Sequence, residues 1–187
     1  MSLVKKDKTE LSGLLGESVS IRKVRGAVVL KNRPQRVVTN ASGNQLAFKE
    51  RFLEAVAYAK QQVKQPDIKE EYATGITPKL KSAYAVALTD YLVAPKVGPI
   101  YTTDYHGAIG DLIAVKAKDD FMVTRVKIVI TNAAGAVIEQ GEASPDLQKT
   151  FLWNYNASVA NPTLAGTKIQ AIAYDRPGNI TSFEKVM

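Results

Sequence analysis

The stretch "LIAVKAKDDFMVTRVKIVIT", Leu112 to Thr131, decides the fold class. Its hydrophobic period is two. In "VTRVKIVIT" (123–131), Val126, Ile128 and Ile130 face one way, and Arg125 and Lys127 face the other. Alternation of β-branched and polar residues marks a strand with one buried face. "LIAVKAK" (112–118) reads the same way, and Asp119-Asp120 opens the turn between them. The signal recurs in "PIYTTDY" (99–105), "AVIEQ" (136–140), "TFLWNYNAS" (150–158), "TKIQAIAYD" (167–175) and "ITSFEKV" (180–186). "NAAG" (132–135) and "RPGN" (176–179) carry turn residues. Strands separated by turn signals every ~8–12 residues are the pattern of a β-sandwich. Trp153, the only tryptophan, is read as a core anchor.

Toward the N-terminus the period changes to 3.6. Residues 42–94 read as two main helices with a short one between. Ser42 stands three residues before Gln45, the capping-box spacing. Leu46, Phe52, Leu53, Val56 and Val63 then form one stripe. Pro66 opens the short helix and Gly75 closes it. Thr77-Pro78 repeats the cap-then-proline signal, and Leu80, Tyr84, Leu88 and Tyr91 form the next stripe. Leu53 and Tyr84, each mid-stripe, are expected to be buried.

Ahead of the helices lies "VSIRKVRGAVVLKNRPQRVVTN" (19–40), with six basic residues and no acid. It predicts a short hairpin or one bent strand, with Gly26 at the bend and Arg33-Pro34 ending the pairing. Two short strands bury too little surface to fold alone, so the segment needs something to pack on. Charge is concentrated here. Of the formal net charge of +7, residues 1–39 carry +6, residues 40–97 carry +2 and residues 98–187 carry −1. Such asymmetry suits an anionic partner, and equally a solvated strand face. Arg22, Lys23, Arg25, Gly26, Lys31, Arg33 and Arg36 are the candidate partner-binding residues.

Composition narrows the chemistry. The absence of cysteine excludes disulfides, zinc–cysteine sites, iron–sulfur clusters and thiol catalysis. No run approaches the ~18 apolar residues of a membrane span. "MSLVKKDKTELSG" lacks the apolar core of a secretory signal as it stands, so the protein is expected to stay in the cytoplasm, to leave by a route needing no such signal, or to have had its signal removed. His106, the only histidine, sits in "DYHGAIGD" without a nucleophile motif, and reads as a hydrogen-bonding loop residue. Gly107 and Gly110 do not connect a strand to a helix as a phosphate cradle does. Asp119-Asp120, with Asp104, Asp111, Asp175 or Asn179, offers oxygen ligands for Ca²⁺, but the spacing matches no calcium loop. Acidic residues capping strand ends are the reading adopted. Paired catalytic carboxylates are disfavoured, because no apolar run brackets them to raise a pKa. No catalytic residue, metal or cofactor is therefore assigned.

Two resemblances add to this. "IQAIAYDRPGNITS" resembles the closing hairpin of bacterial immunoglobulin-like domains, which implies that fold for the last half of the chain. "GLLGESVSIRKVRGAVVLKNRPQRVVTNASGNQLAFKERF" is similar to the opening of uncharacterised proteins common in Bacteroidota, through Gly26, Arg33-Pro34 and Ser42 to Gln45. That family implies no activity. The expected fold is α+β: a basic strand-forming arm (1–39), a helical region (40–97) and an immunoglobulin-like sandwich (98–187). The expected function is non-enzymatic. The chain self-associates, or docks a protein partner, through its arm as a subunit of a filament, ring or surface assembly. The alternative is a module binding a polyanion, such as nucleic acid without sequence preference, or a cell-surface ligand. The arm has no aromatic residue for base stacking and makes no amphipathic helix for a membrane.

Overall fold

The computed structural model describes residues 13–15, 19–24, 27–32 and 42–187. The chain divides into two compact units, residues 1–43 and 44–187.

In the first unit, β1 (Gly13–Leu15), β2 (Val19–Val24) and β3 (Ala27–Asn32) form an antiparallel sheet in the order β1-β2-β3. Of the two forms expected, hairpin or single bent strand, the hairpin is present. Val24 pairs with Ala27 and Val19 with Asn32, and Ser20 Oγ donates to the Lys31 carbonyl at 3.2 Å. The third strand, β1, was not expected; three apolar or glycine residues are too short a run to show a period. Every residue of β3 is exposed. Arg25, Gly26, Arg33, Pro34 and Arg36 lie outside the described residues.

The second unit contains three helices and seven strands. The helices are α1 (Gly43–Gln62), α2 (Pro66–Ala73) and α3 (Ala83–Leu92). Pro66 stands at the start of α2, where its missing N–H costs nothing. Ser82 caps α3 by accepting from the Ala85 amide at 3.2 Å. Thr77, read from sequence as the cap, instead closes a separate turn by accepting from the Leu80 amide. Gly75 does not end α2 through a left-handed conformation. A Cβ there would come within 2.9 Å of both Phe121 and Val86, so the glycine is a packing requirement.

The strands are β4 (Lys96–Tyr101), β5 (Leu112–Lys118), β6 (Val123–Thr131), β7 (Val137–Pro145), β8 (Leu152–Asn156), β9 (Lys168–Asp175) and β10 (Ile180–Val186). They pair antiparallel throughout in the order β10-β9-β6-β7-β8-β5-β4. β7 joins the two layers: residues up to Ala143 pair with β6, and Ser144 and Pro145 pair with β8. The edge strands β4 and β10 come together without a ladder; Lys185 Nζ donates to the Ile100 carbonyl and to Thr102 Oγ1. The result is an α+β protein whose sandwich is nearly a barrel. Its core holds Ile113 and Val115 of β5, Val126, Ile128 and Ile130 of β6, and Ile169, Ala171 and Ala173 of β9. These are the alternate residues that the period of two selects. Trp153 packs half-buried against this core.

The helical stripes fall differently. Leu53 is 57% exposed, and all of residues 42–54 are exposed; α1 buries Ala55 and Ala59 instead. On α3 the buried face is Ala83, Val86, Ala87 and Asp90, with Tyr84 half-buried beside it. Small residues win these positions because Tyr72 of α2 and Phe121 of the β5–β6 loop fill the space, their rings stacked at 4.6 Å.

Candidate interaction surface and buried carboxylate cluster

Two features stand apart from ordinary packing. One is the open edge of the first sheet. On β3, Val28, Val29 and Leu30 expose 56%, 41% and 63% of their surface. β3 is also an edge strand, so one side of its backbone has no ladder partner within the sheet. Of the candidate partner-binding residues, Arg22 and Lys23 lie in β2 and Lys31 is exposed on β3. In the second unit, Leu46, Phe48, Phe52 and Leu53 of α1 are also large and exposed.

The other feature is a cluster of three carboxylates in the second unit. Asp90 comes from α3, Asp119 from the start of the β5–β6 loop and Asp175 from the end of β9. One oxygen of each lies within 4.8 Å of the others. Asp90 is 1% exposed and Asp175 4%.

Local structure fixes each one. Asp175 precedes the "RPGN" turn. Its Oδ1 accepts from the Gly178 and Asn179 amides at 2.9 and 2.6 Å, and its Oδ2 from Asn179 Nδ2 at 2.7 Å. Asn179 Nδ2 also donates to the Asp90 and Tyr91 carbonyls, tying the turn to the end of α3. Asp119 is placed by the Phe121–Tyr72 stack that pins its loop on α2. Asp90 Oδ2 accepts from the Tyr72 hydroxyl at 2.7 Å, and that hydroxyl lies 2.8 Å from Tyr58 Oη. Because Tyr72 donates to Asp90, Tyr58 donates to Tyr72.

Electrostatics make the cluster unusual. Asp90 Oδ1 and both oxygens of Asp119 are sealed from solvent and have no hydrogen-bond partner. Burial, with Asp119 and Asp175 adding repulsion, raises the Asp90 carboxyl to about 7. Burial also raises Asp119, with the Asp120 amide acting against it and Asp175 adding to it. Arg176, beside the cluster in sequence, is ion-paired with Glu71 and lies 5.7 Å from the Tyr72 ring. Burial raises both Tyr72 and Tyr58, so both hydroxyls keep their protons.

The sequence-based expectations meet this cluster in part. Asp119 and Asp175 are brought together, and Asn179 supports Asp175. Asp120 is exposed, and Asp104 and Asp111 lie toward the opposite end of β5. Asp111 Oδ2 accepts from the His106 and Ala108 amides, which holds its carboxyl below the ordinary range. His106 thus takes part in the loop through its backbone. The expectation that no apolar run brackets these carboxylates to raise a pKa is corrected for Asp119: burial raises it, beside the stack of Phe121 on Tyr72 of α2. Asp90 was missed. Its signal was present, as the only charged residue in "AYAVALTDYL"; a lone charge in an apolar helix is rarely buried without a partner.

Among the described residues, no helix is long and apolar enough to cross a membrane. No protein-family model matches the chain, and no curated protein matches it. Among solved structures, the chain is similar to the crystal structure of CopC from Methylosinus trichosporium OB3b. The identity is 11% and the TM-score 0.35, over 48% of this chain and 87% of that one. A likeness at that level carries no argument about function.

Proposed function

We propose that this protein is a non-enzymatic assembly module that self-associates by pairing the β3 edges of two copies. The observation that carries this reading is the exposed β3 edge, with Val28, Val29 and Leu30 uncovered. An open strand edge is a template for strand addition, and backbone hydrogen bonds supply the affinity. A second copy fits the charge pattern. Antiparallel pairing that sets Val29 opposite Val29 puts Val28 opposite Leu30 and Lys31 opposite Ala27. The only charge on β3 then never meets its equivalent, and the apolar residues cover one another. The sandwich, in this reading an immunoglobulin-like scaffold, carries the arm. The sealing of Asp90 and Asp175 supports a non-enzymatic role, since a substrate has no access to them.

The test is sedimentation velocity of the full chain across a concentration series, with Val29→Lys as the variant. The wild type is expected to associate with rising concentration, only modestly weakened by salt, because exposed ion pairs contribute little. Val29→Lys should remain monomeric with an unchanged circular dichroism spectrum. A wild type that stays monomeric, yet binds DNA with an affinity falling steeply in salt, overturns this reading and promotes polyanion binding.

A further inference from the structure

We propose that Asp90, Asp119 and Asp175 bind one Ca²⁺ ion at the junction of α3 with the sandwich. Geometry is the first support. Ca²⁺ takes oxygen ligands at ~2.3–2.6 Å, so ligands on opposite sides of it are separated by up to ~5 Å. The three carboxylate oxygens, all within 4.8 Å of one another, match that span. The second support is independent of the clustering. Asp90 is 1% exposed, and its Oδ1 faces no donor. Both Asp119 oxygens are likewise sealed and have no partner in hydrogen-bond geometry. A buried carboxylate oxygen normally has a hydrogen-bond partner, because leaving one bare forfeits its hydration without return. Three such atoms beside a third carboxylate call for positive charge. Arg176, already paired with Glu71, does not supply it.

The donor set selects the ion. All-oxygen, all-carboxylate ligation suits a hard cation rather than zinc or copper. Mg²⁺ demands near-ideal octahedral geometry at ~2.0–2.1 Å, whereas Ca²⁺ accepts a wider, irregular set of carboxylate and water oxygens, and water completes the shell that three carboxylates begin. Supply is also available: Asp119 lines a surface cavity of about 200 Å³, so the cluster lies one residue from solvent. Bound there, the ion ties three separate stretches of chain together, from α3, the β5–β6 loop and the end of β9. The competing occupant is a single proton shared between Asp90 and Asp119. It relieves one repulsion and leaves the rest.

The experiment uses the full chain stripped with EDTA and dialysed, then titrated calorimetrically with CaCl₂ and melted with and without it. One Ca²⁺ per chain and a higher melting temperature are expected. Asp119→Asn should weaken Ca²⁺ binding by more than about tenfold, since losing even an outer-shell partner of a metal site typically costs ~10–100-fold. Its cation-free melt should be at or above that of wild type, which shows that the variant folds. Asp120→Asn, at the exposed neighbour, should leave the affinity unchanged. Absence of saturable binding up to about 10 mM CaCl₂, beyond the weakest ordinary sites, overturns the proposal and leaves the shared proton. Equal binding of MgCl₂, or full affinity in Asp119→Asn, overturns it too.

Discussion

The two ends of the sandwich handle buried acids in opposite ways. Near one end Glu139, which pairs with Ile130, is 6% exposed. Its Oε2 accepts from the Tyr155 hydroxyl at 2.9 Å, the Ser158 amide at 2.8 Å and Ser158 Oγ at 2.7 Å. Beside it, Asn161 Nδ2 donates to Thr167 Oγ1, which donates to the Thr163 carbonyl. Glu139 Oε1 is bare, but the charge rests on three converging donors. At the other end Asp175, near Val123, meets Asp90 and Asp119, and the sealed Asp119 oxygens have no such set of converging donors. A buried charge is tolerated where donors point at it. Where carboxylates point at one another, the fold carries a liability that only a proton or a cation relieves.

The sharpest way to break this contrast is Glu139→Ala. It strands the Tyr155 hydroxyl and both Ser158 donors, so unfolding free energy should fall by about 3 kcal/mol. Chemical denaturation measures it, and a loss below about 1 kcal/mol would mean that the donors find water instead.

A smaller effect separates the ends by pH. In cation-free buffer the folded Asp90 keeps its proton to about 7, while the unfolded carboxyl releases it near 3.8. Its stabilising contribution is therefore full below pH 3.8 and lost as pH rises through about 7. The groups acting on it are Asp119, Asp175 and Tyr72, with Tyr58 bonded to Tyr72 and Arg176 shared with Glu71. Between pH 5 and 8 the wild type should lose on the order of 2 kcal/mol relative to Asp90→Asn. Melts of both proteins in EDTA give the difference, and a difference that grows in the wild type's favour as pH rises would refute the assignment.

The mildest change is Tyr155→Phe. It removes one of three donors to Glu139 and should cost about 1 kcal/mol. The two Ser158 donors remain. A loss as large as that of Glu139→Ala would show that Tyr155 alone holds the acid.

Local chemistry alone determined much of this protein. The seven sandwich strands, the helix order and the β2–β3 hairpin follow from period, proline and turn residues, because those signals act within a few residues. Val126, Ile128 and Ile130 are buried as their alternation requires. Tertiary structure decided which helical face is covered. Leu53 lies on a regular stripe yet remains exposed, because amphipathic spacing specifies a face and not the surface that meets it. β3 shows the same limit: its β-branched residues make a strand, but no layer within its sheet covers it. The carboxylate cluster was the least legible. Asp90, Asp119 and Asp175 span 85 positions of sequence, and their meeting depends on how α3 packs against the sandwich. Electrostatic interaction depends on distance in space and on burial, and sequence spacing encodes neither.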